Sequence, residues 1–288
     1  MLLRIFKIRT AFISLLLCLL CTTSCFNTAL NNSRIRPAPA IAAHRGYHQD
    51  VADNSLNAIR KAIELETPYI EIDIRESTEG KLFLFHDRTI RATNVSEPIN
   101  LFETKVETLS EENVKSIIRS GTARDKVAFF NEALKLLQNS KAKFLIDIKS
   151  NNPQATISKV IENAKELELA DKIIIQTQLI EQLRSLKSKY PEIKALSRCR
   201  NHQEVVEALG LNPEIIQVDL EWITENSISL IHQNKSKVLV KSLGEEKDKE
   251  RYWLELYNRG VDIILTDRPK SLSNFLNPSL TTDLREKK

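Results

Sequence analysis

Cysteine, net charge and long apolar runs are all scarce in this chain of 288 residues, and each scarcity closes off a class of protein. Cys18, Cys21 and Cys25 lie near the N-terminus, which leaves Cys199 as the lone thiol of the body. A disulfide within the body is excluded unless it recruits Cys25, and Cys199 reads as a buried apolar filler rather than a nucleophile. The formal charge is +4, but Arg4, Lys7 and Arg9 precede the first apolar run, so the chain beyond that run is close to neutral at +1. No basic footprint for nucleic acid remains. The apolar run itself, Ala11 to Cys21, is shorter than the roughly 20 residues a spanning helix needs. With cations before it and small residues after it, it reads as a signal-peptide core.

The run ends in LCTTSC, where Thr23 and Ser24 precede Cys25. This resembles the processing site of bacterial lipoproteins, with Thr22 standing where leucine is usual. Residues 1–25 are therefore expected to be an export signal whose processed Cys25 carries a lipid anchor to a membrane of the cell envelope; the alternative is cleavage by a general signal peptidase. Residues 26–40, with PAPA, read as a tether, residues 41–276 as one barrel domain, and residues 277–288 as a polar tail.

The body alternates short β-branched runs with amphipathic segments, the pattern of a parallel sheet with crossover helices. Strands are expected near 41–44, 69–75, 144–149, 173–177, 193–197, 215–219, 237–241 and 262–266. Helices are expected after a cap at Asp53, then over Ser110 to Ser120, Asn131 to Gln138, Pro153 to Leu169, Ile180 to Lys189, His202 to Leu209, Thr224 to Gln233 and Glu245 to Asn258. Eight such strands make an α/β fold of the (β/α)8 TIM-barrel type, whose active site lies at the strand C-terminal ends. Polar residues fall there: His44 and Arg45, Asp147 and Lys149, Lys241, Thr266 and Asp267. The polar stretch 88–126 is long for a connection and is expected to shape access to the mouth.

Glu71 and Asp73 stand two apart in YIEIDIR, a spacing that puts both carboxylates on one face of a strand and suits a metal. The turn STEG follows too soon for a crossover, so LFLFHD must return antiparallel as an extra hairpin strand after strand two. If Glu79 and Gly80 form a two-residue loop, Asp73 lies opposite His86.

These stretches resemble the glycerophosphodiester phosphodiesterases: HRG at 44–46, DNS at 53–55, EID at 71–73, LFLFHD at 82–87, RATN at 91–94, LIDIK at 145–149 and GVDIILTDRP at 260–269, in order and across most of the chain. The resemblance implies a metal-dependent phosphodiesterase that releases glycerol 3-phosphate and an alcohol. His44 and His86 would be general acid and base, and Arg45 and Lys149 would hold the phosphate. Glu71, Asp73 and Asp147 would bind a divalent cation, magnesium or calcium, since a hard cation held by oxygens offsets charge that builds on a phosphodiester. Three departures stand out. Asp53 and Asp147 replace glutamates of the family, Thr177 and Gln178 replace Ser-Phe, and Lys241 and Ser242 replace Trp-Thr. Lys241 at the mouth suggests an anionic headgroup. The expected partner is thus a small phosphodiester or a lipid headgroup. Two other readings stay open: a weakened barrel that binds headgroups, and a phospholipase C- or D-like enzyme acting on intact lipid. Asp87 and Asp267 read as structural caps. His48, His202 and His232 are given no role, and Trp222 and Trp253 read as packing residues.

Overall fold

A computed structural model describes residues 36–90, 104–117 and 126–277, and its described residues from Ala38 on form one compact unit. The signal segment with Cys25, most of the tether, RATN and the tail from residue 278 lie outside the described residues. Among the described residues no helix is long and apolar enough to cross a membrane.

The barrel strands are β1 (Ala40–Ala43), β2 (Tyr69–Glu76), β6 (Lys143–Ile148), β7 (Ile173–Thr177), β8 (Lys194–Arg198), β9 (Ile215–Val218), β10 (Lys237–Ser242) and β11 (Ile263–Thr266). They hydrogen-bond in parallel in that order, and β1 closes on both β2 and β11. All eight expected strands are present to within a residue or so. Outside the ring, β3 (Leu82–Leu84) pairs antiparallel with the end of β2. A second small sheet joins β4 (Thr89–Ile90) to β5 (Thr104–Lys105).

Alternation along each strand divides the apolar residues into two cores. Ile70, Ile72 and Ile74 face outward onto the helices with Phe144, Ile146, Ile173 and Ile175, each buried aliphatic side chain stabilising by about 1.5–3 kcal/mol. The inward residues stack in tiers drawn from alternate strands, as expected of such barrels. Tyr69, Ile174, Ile215 and Ile263 form one tier and Ala42, Leu145, Leu196 and Leu239 the next. Leu265 belongs to the same inner cluster. Above these, the register brings Glu71, Gln176 and Gln217 level with Leu265, and then His44, Asp147, Arg198 and Lys241. The floor of the mouth is thus apolar and its walls are polar.

The helices are α1 (Leu56–Glu64), α2 (Glu111–Ser116), α3 (Phe130–Leu137), α4 (Pro153–Glu166), α5 (Ile180–Lys189), α6 (His202–Leu209), α7 (Glu225–Gln233), α8 (Glu250–Arg259) and α9 (Pro269–Leu276). Helix α9 lies beyond the helices expected from the sequence, and three of those expected differ from the pattern. The cap of α1 is Ser55, whose hydroxyl accepts from the Ala58 N–H, and not Asp53. Helix α2 stops at Ser116 because Ile117 turns extended and buries its side chain with Val106, Leu109 and Val114 under Phe83 and Phe85. Part of the 88–126 stretch is therefore a small apolar pack behind the hairpin. Helix α8 starts at Glu250, not Glu245, because Asp248 is drawn out of the helix to bind Trp253, Thr266 and Asp267.

The hairpin register also differs from expectation. Ile74 pairs with Leu84, Arg75 with Phe83 and Glu76 with Leu82, so the Asp73 carbonyl receives the Phe85 N–H, not that of His86. The connection is a three-residue loop, Thr78 to Gly80, in which Ser77 accepts from Gly80 and donates to Lys81. Gly80 takes the left-handed conformation at φ +82 that such a loop requires. One extra loop residue shifts the strand by one and swaps its two faces.

Candidate active site

His44 extends the β1 ladder, its N–H donating to the Thr266 carbonyl, and the chain then turns sharply. Arg45 sits at φ +53 and Gly46 at φ +83. A Cβ on Gly46 would lie 2.8 Å from Ala58 of α1, so glycine alone fits. The left-handed conformation costs a non-glycine residue about 1–2 kcal/mol, and here it aims the Arg45 N–H at Glu71 Oε2, 3.0 Å away.

The DNS motif then serves three separate tasks. Asp53 accepts from Arg45 Nη1 at 2.8 Å. Asn54 clasps Asp73, donating Nδ2 to Oδ2 at 2.9 Å and accepting the Asp73 N–H at 3.0 Å. Ser55 caps α1. Arg45 Nε also approaches Asp73 Oδ2 at 3.3 Å. From the next strand, Lys149 Nζ lies 2.7 Å from Asp147 and 3.3 Å from Asp73. Gln178 donates to the other Asp147 oxygen at 3.1 Å. The Ser-Phe replacement thus brings a hydrogen bond that fixes the shorter Asp147 side chain.

Glu71, Asp73 and Asp147 are buried, and one oxygen from each lies within 4.8 Å of the others. Two oxygens about 2.4 Å from a calcium ion, on opposite sides, would be about that far apart, and magnesium needs a slightly tighter set. The donor set therefore fits a hard divalent cation. Burial pushes the Glu71 carboxyl well above its ordinary range, and the charges of Asp73 and Asp147 push it further. Three acids forced together out of water favour a bound cation. For Lys149, burial alone would lower the ammonium; Asp147 and Asp73 outweigh it and hold it above its usual value.

Two residues read as structural or idle in the sequence turn out to belong here. Asp267 Oδ1 lies 2.7 Å from His44 Nδ1 and 3.6 Å from His48 Nε2, and the two imidazoles meet edge to face with centroids 6.3 Å apart. Asp267 follows the last barrel strand, and the place of a TD pair after an apolar strand was the signal available. With Nδ1 bonded to Asp267, His44 turns Nε2 toward Glu71 Oε2, 3.9 Å away. Burial lowers the His44 pKa below 6.5, so the ring is neutral near pH 7. Burial would raise Asp267, but the His44 hydrogen bond prevails and holds it low. Behind it, Asp248 accepts from the Thr266 hydroxyl at 2.5 Å, the Asp267 N–H at 2.9 Å and the Trp253 indole at 3.1 Å.

His86 is placed differently. Its ring contacts Asp87 at 2.9 Å and is 37% exposed, with no hydrogen bond or ion pair to the three acids among the described residues. Its backbone is pinned, because Arg75 donates to the His86 carbonyl at 2.7 Å and to the Lys149 carbonyl at 2.8 Å. Arg75, unassigned in the sequence, thus ties the hairpin exit to the end of β6. Lys241 faces the mouth from β10, and its charge acts on Glu71. Cys199 is buried, with its thiol pushed up to about 12 by desolvation, as befits a filler. His202 bonds Ser227 of α7, and His232 of α7 bonds Asp262, which directly precedes β11.

A model of the glycerophosphoryl diester phosphodiesterase family matches residues 44–271, from the first site histidine to α9. The chain belongs to this family. A glycerophosphodiester phosphodiesterase of Caldanaerobacter subterraneus subsp. tengcongensis is 26% identical over 250 residues, 82% of this chain and 97% of the relative. Among solved structures, an Oleispira antarctica phosphodiesterase in complex with the product sn-glycerol-3-phosphate superposes with a TM-score of 0.69 at 20% identity, covering 83% of this chain and 97% of that one. A family member from Parabacteroides distasonis also gives 0.69, at 18% identity, covering 85% of this chain and 88% of that one. At these identities the two structures establish the shared barrel. Within the family, the clasp on Asp73, the Gln178 contact on Asp147 and the Arg45 N–H on Glu71 explain how this chain holds its three acids together.

Proposed function

We propose that this family member hydrolyses glycerophosphodiesters to glycerol 3-phosphate and an alcohol, with a divalent cation between Glu71, Asp73 and Asp147. The observation that carries the reading is the convergence of those three buried carboxylates beside a neutral, Asp267-held His44. The bound cation would polarise the phosphate and offset the charge that builds in the transition state.

His44 is the general base. Its Nδ1 proton is committed to Asp267, so Nε2 carries the lone pair, and its lowered pKa keeps that lone pair free at neutral pH. Asp267 then stabilises the imidazolium that forms when Nε2 takes a proton from the glycerol hydroxyl that attacks phosphorus and expels the alcohol, and water then opens the resulting cyclic phosphate to glycerol 3-phosphate. His86, at the pinned exit of the hairpin, gives the leaving alcohol its proton. Arg45 and Lys149 meet the phosphate oxygens, since each lies against carboxylates that would hold the cation, Arg45 against Asp73 and Lys149 against Asp73 and Asp147. Asp53 anchors the Arg45 guanidinium through Nη1.

Export and a lipid anchor at Cys25 complete the reading, motivated by the apolar run and LCTTSC. Substrates would then be headgroup diesters outside the cytoplasm. Purified protein assayed on glycerophosphocholine, glycerophosphoinositol and intact phospholipid, with and without chelator, tests it. Metal-dependent release of glycerol 3-phosphate from the deacylated diesters supports it; turnover of intact lipid alone, or of nothing, overturns it. Separately, Cys25→Ser should move the protein from the membrane to the soluble fraction.

A further inference from the structure

Charge divides the barrel mouth into two halves. On the β1, β2 and β6 side stand His44, Glu71, Asp73 and Asp147, and the two cations there, which meet the scissile phosphate in the function proposed above, are paired with acids: Arg45 with Asp53 and Asp73, Lys149 with Asp147 and Asp73. The opposite side, β7 to β10, carries Gln176, Arg198, Gln217 and Lys241. In-register pairs share a face of the sheet, so the direction of these side chains follows from their partners. Gln176 is in register with Asp147 and Leu196, Gln217 with Leu239 and Arg198, and Lys241 with Leu265. Leu196, Leu239 and Leu265 belong to the cluster inside the barrel. All four polar side chains therefore point into it.

On the carboxylate side the buried atoms without a hydrogen bond, Arg45 Nε and Arg75 Nε, belong to guanidiniums that are bonded elsewhere, whereas on this half a whole amide is left without a partner. Gln217 is 1% exposed, yet neither its amide nitrogen nor its amide oxygen is hydrogen-bonded. Gln176 Nε2 and Arg198 Nε are buried in the same condition. Buried polar atoms are nearly always satisfied, so several orphans on one wall mark a place that expects a ligand. Among the described residues the side chain of neither Arg198 nor Lys241 makes a hydrogen bond or an ion pair with another. Asp219, two residues beyond Gln217 at the rim, is outnumbered by these two cations.

We propose that the β7 to β10 wall is a subsite for a second anion, carried by the leaving alcohol of the diester. This rests on the function proposed above. The scissile phosphate lies at the carboxylate wall, and the alcohol extends across the mouth. Its own carboxylate or phosphate meets Arg198 and Lys241, while Gln217 and Gln176 supply amides to its remaining oxygens. The preferred substrates are then glycerophosphodiesters of acidic alcohols, not of choline or ethanolamine. Nothing covalent is asked of this wall.

Glycerophosphoserine and glycerophosphoethanolamine differ by one carboxylate, which makes them the discriminating pair. An ionic hydrogen bond is worth about a tenfold preference, so kcat/KM should favour the serine diester by at least that factor. Arg198→Met and Lys241→Met should each shrink the ratio of the two kcat/KM values, and Arg198→Lys should keep most of it. A ratio near one in the wild type, or one that neither methionine variant changes, overturns the subsite while leaving the hydrolase reading intact. A binding measurement keeps the two readings separable if no diester turns over. Titration calorimetry should find O-phosphoserine bound more tightly than O-phosphoethanolamine, an advantage that Arg198→Met removes. Equal affinities overturn the subsite; an Arg198-dependent advantage in a protein without turnover leaves the subsite standing and sinks the hydrolase.

Discussion

Asn54 offers the sharpest test of how the site is built, because one buried side chain there holds a proposed metal ligand at two points. It is 2% exposed, sits at φ +52, and makes both hydrogen bonds of the clasp on Asp73. Replacement by alanine removes a hydrogen bond to an ionised group, worth about 1.5–3 kcal/mol, and strands the Asp73 N–H, which costs about 1–3 kcal/mol. Alanine also pays about 1–2 kcal/mol for the left-handed backbone that asparagine tolerates better. After partial relaxation, Asn54→Ala should lose about 4 kcal/mol, a fall in Tm of roughly 10 °C for a domain of this size. Asn54→Gly escapes the backbone cost and should lose about 1 kcal/mol less. Because outer partners orient metal ligands, both variants should also lose roughly 10- to 100-fold in cation affinity or activity. Urea denaturation gives the stabilities, and a cation titration followed by Tm gives the affinity. An Asn54→Ala protein within about 1 kcal/mol of the wild type, with its cation affinity unchanged, would refute the clasp.

Other outcomes follow from the same geometry. His44→Gln should reduce kcat by about 10²- to 10⁴-fold. Because the Asp267 hydrogen bond raises the His44 pKa against the larger effect of burial, Asp267→Asn should move the acid limb of kcat/KM to lower pH; an unmoved limb counts against the dyad. Glu71 has a raised pKa, so the folded, cation-free protein holds a proton that the unfolded chain releases above its ordinary value of 4.5. Stability in chelator should then fall as pH rises through the raised value. Glu71→Gln should raise Tm in chelator at neutral pH and abolish the stabilisation given by added cation, as thermal melts would record. Cys199, with its thiol at about 12, should resist alkylation in the native protein at pH 8 and react only in denaturant, as peptide mapping by mass spectrometry would show.

The order of strands and helices was legible in the sequence because each barrel strand is a short β-branched run and each crossover helix repeats its apolar face. Such local periodicities survive without knowledge of the partner. Glu71 and Asp73 were legible for the same reason, since alternation between Ile70, Ile72 and Ile74 fixes their face whatever lies beside them. HRG, EID and FHD pointed to the chemistry by their order along the chain.

Only the tertiary structure could decide where separate elements meet. The hairpin register hung on whether the loop had two or three residues, and that single residue put Phe85, not His86, on the Asp73 carbonyl. Asp267 is 223 residues from His44, and only barrel closure between β1 and β11 makes them a hydrogen-bonded pair. Asp248 left an apparently helical segment because its carboxylate satisfies three donors around Thr266, a demand no local propensity records. Asp53 likewise gave up the cap to Ser55 and paired with Arg45. The unsatisfied wall of Arg198, Gln217 and Lys241 is visible only once the strands close, because their side chains converge through the stagger of the barrel and not through any spacing in the chain. Sequence period sets which face a side chain takes; ring closure sets what it faces.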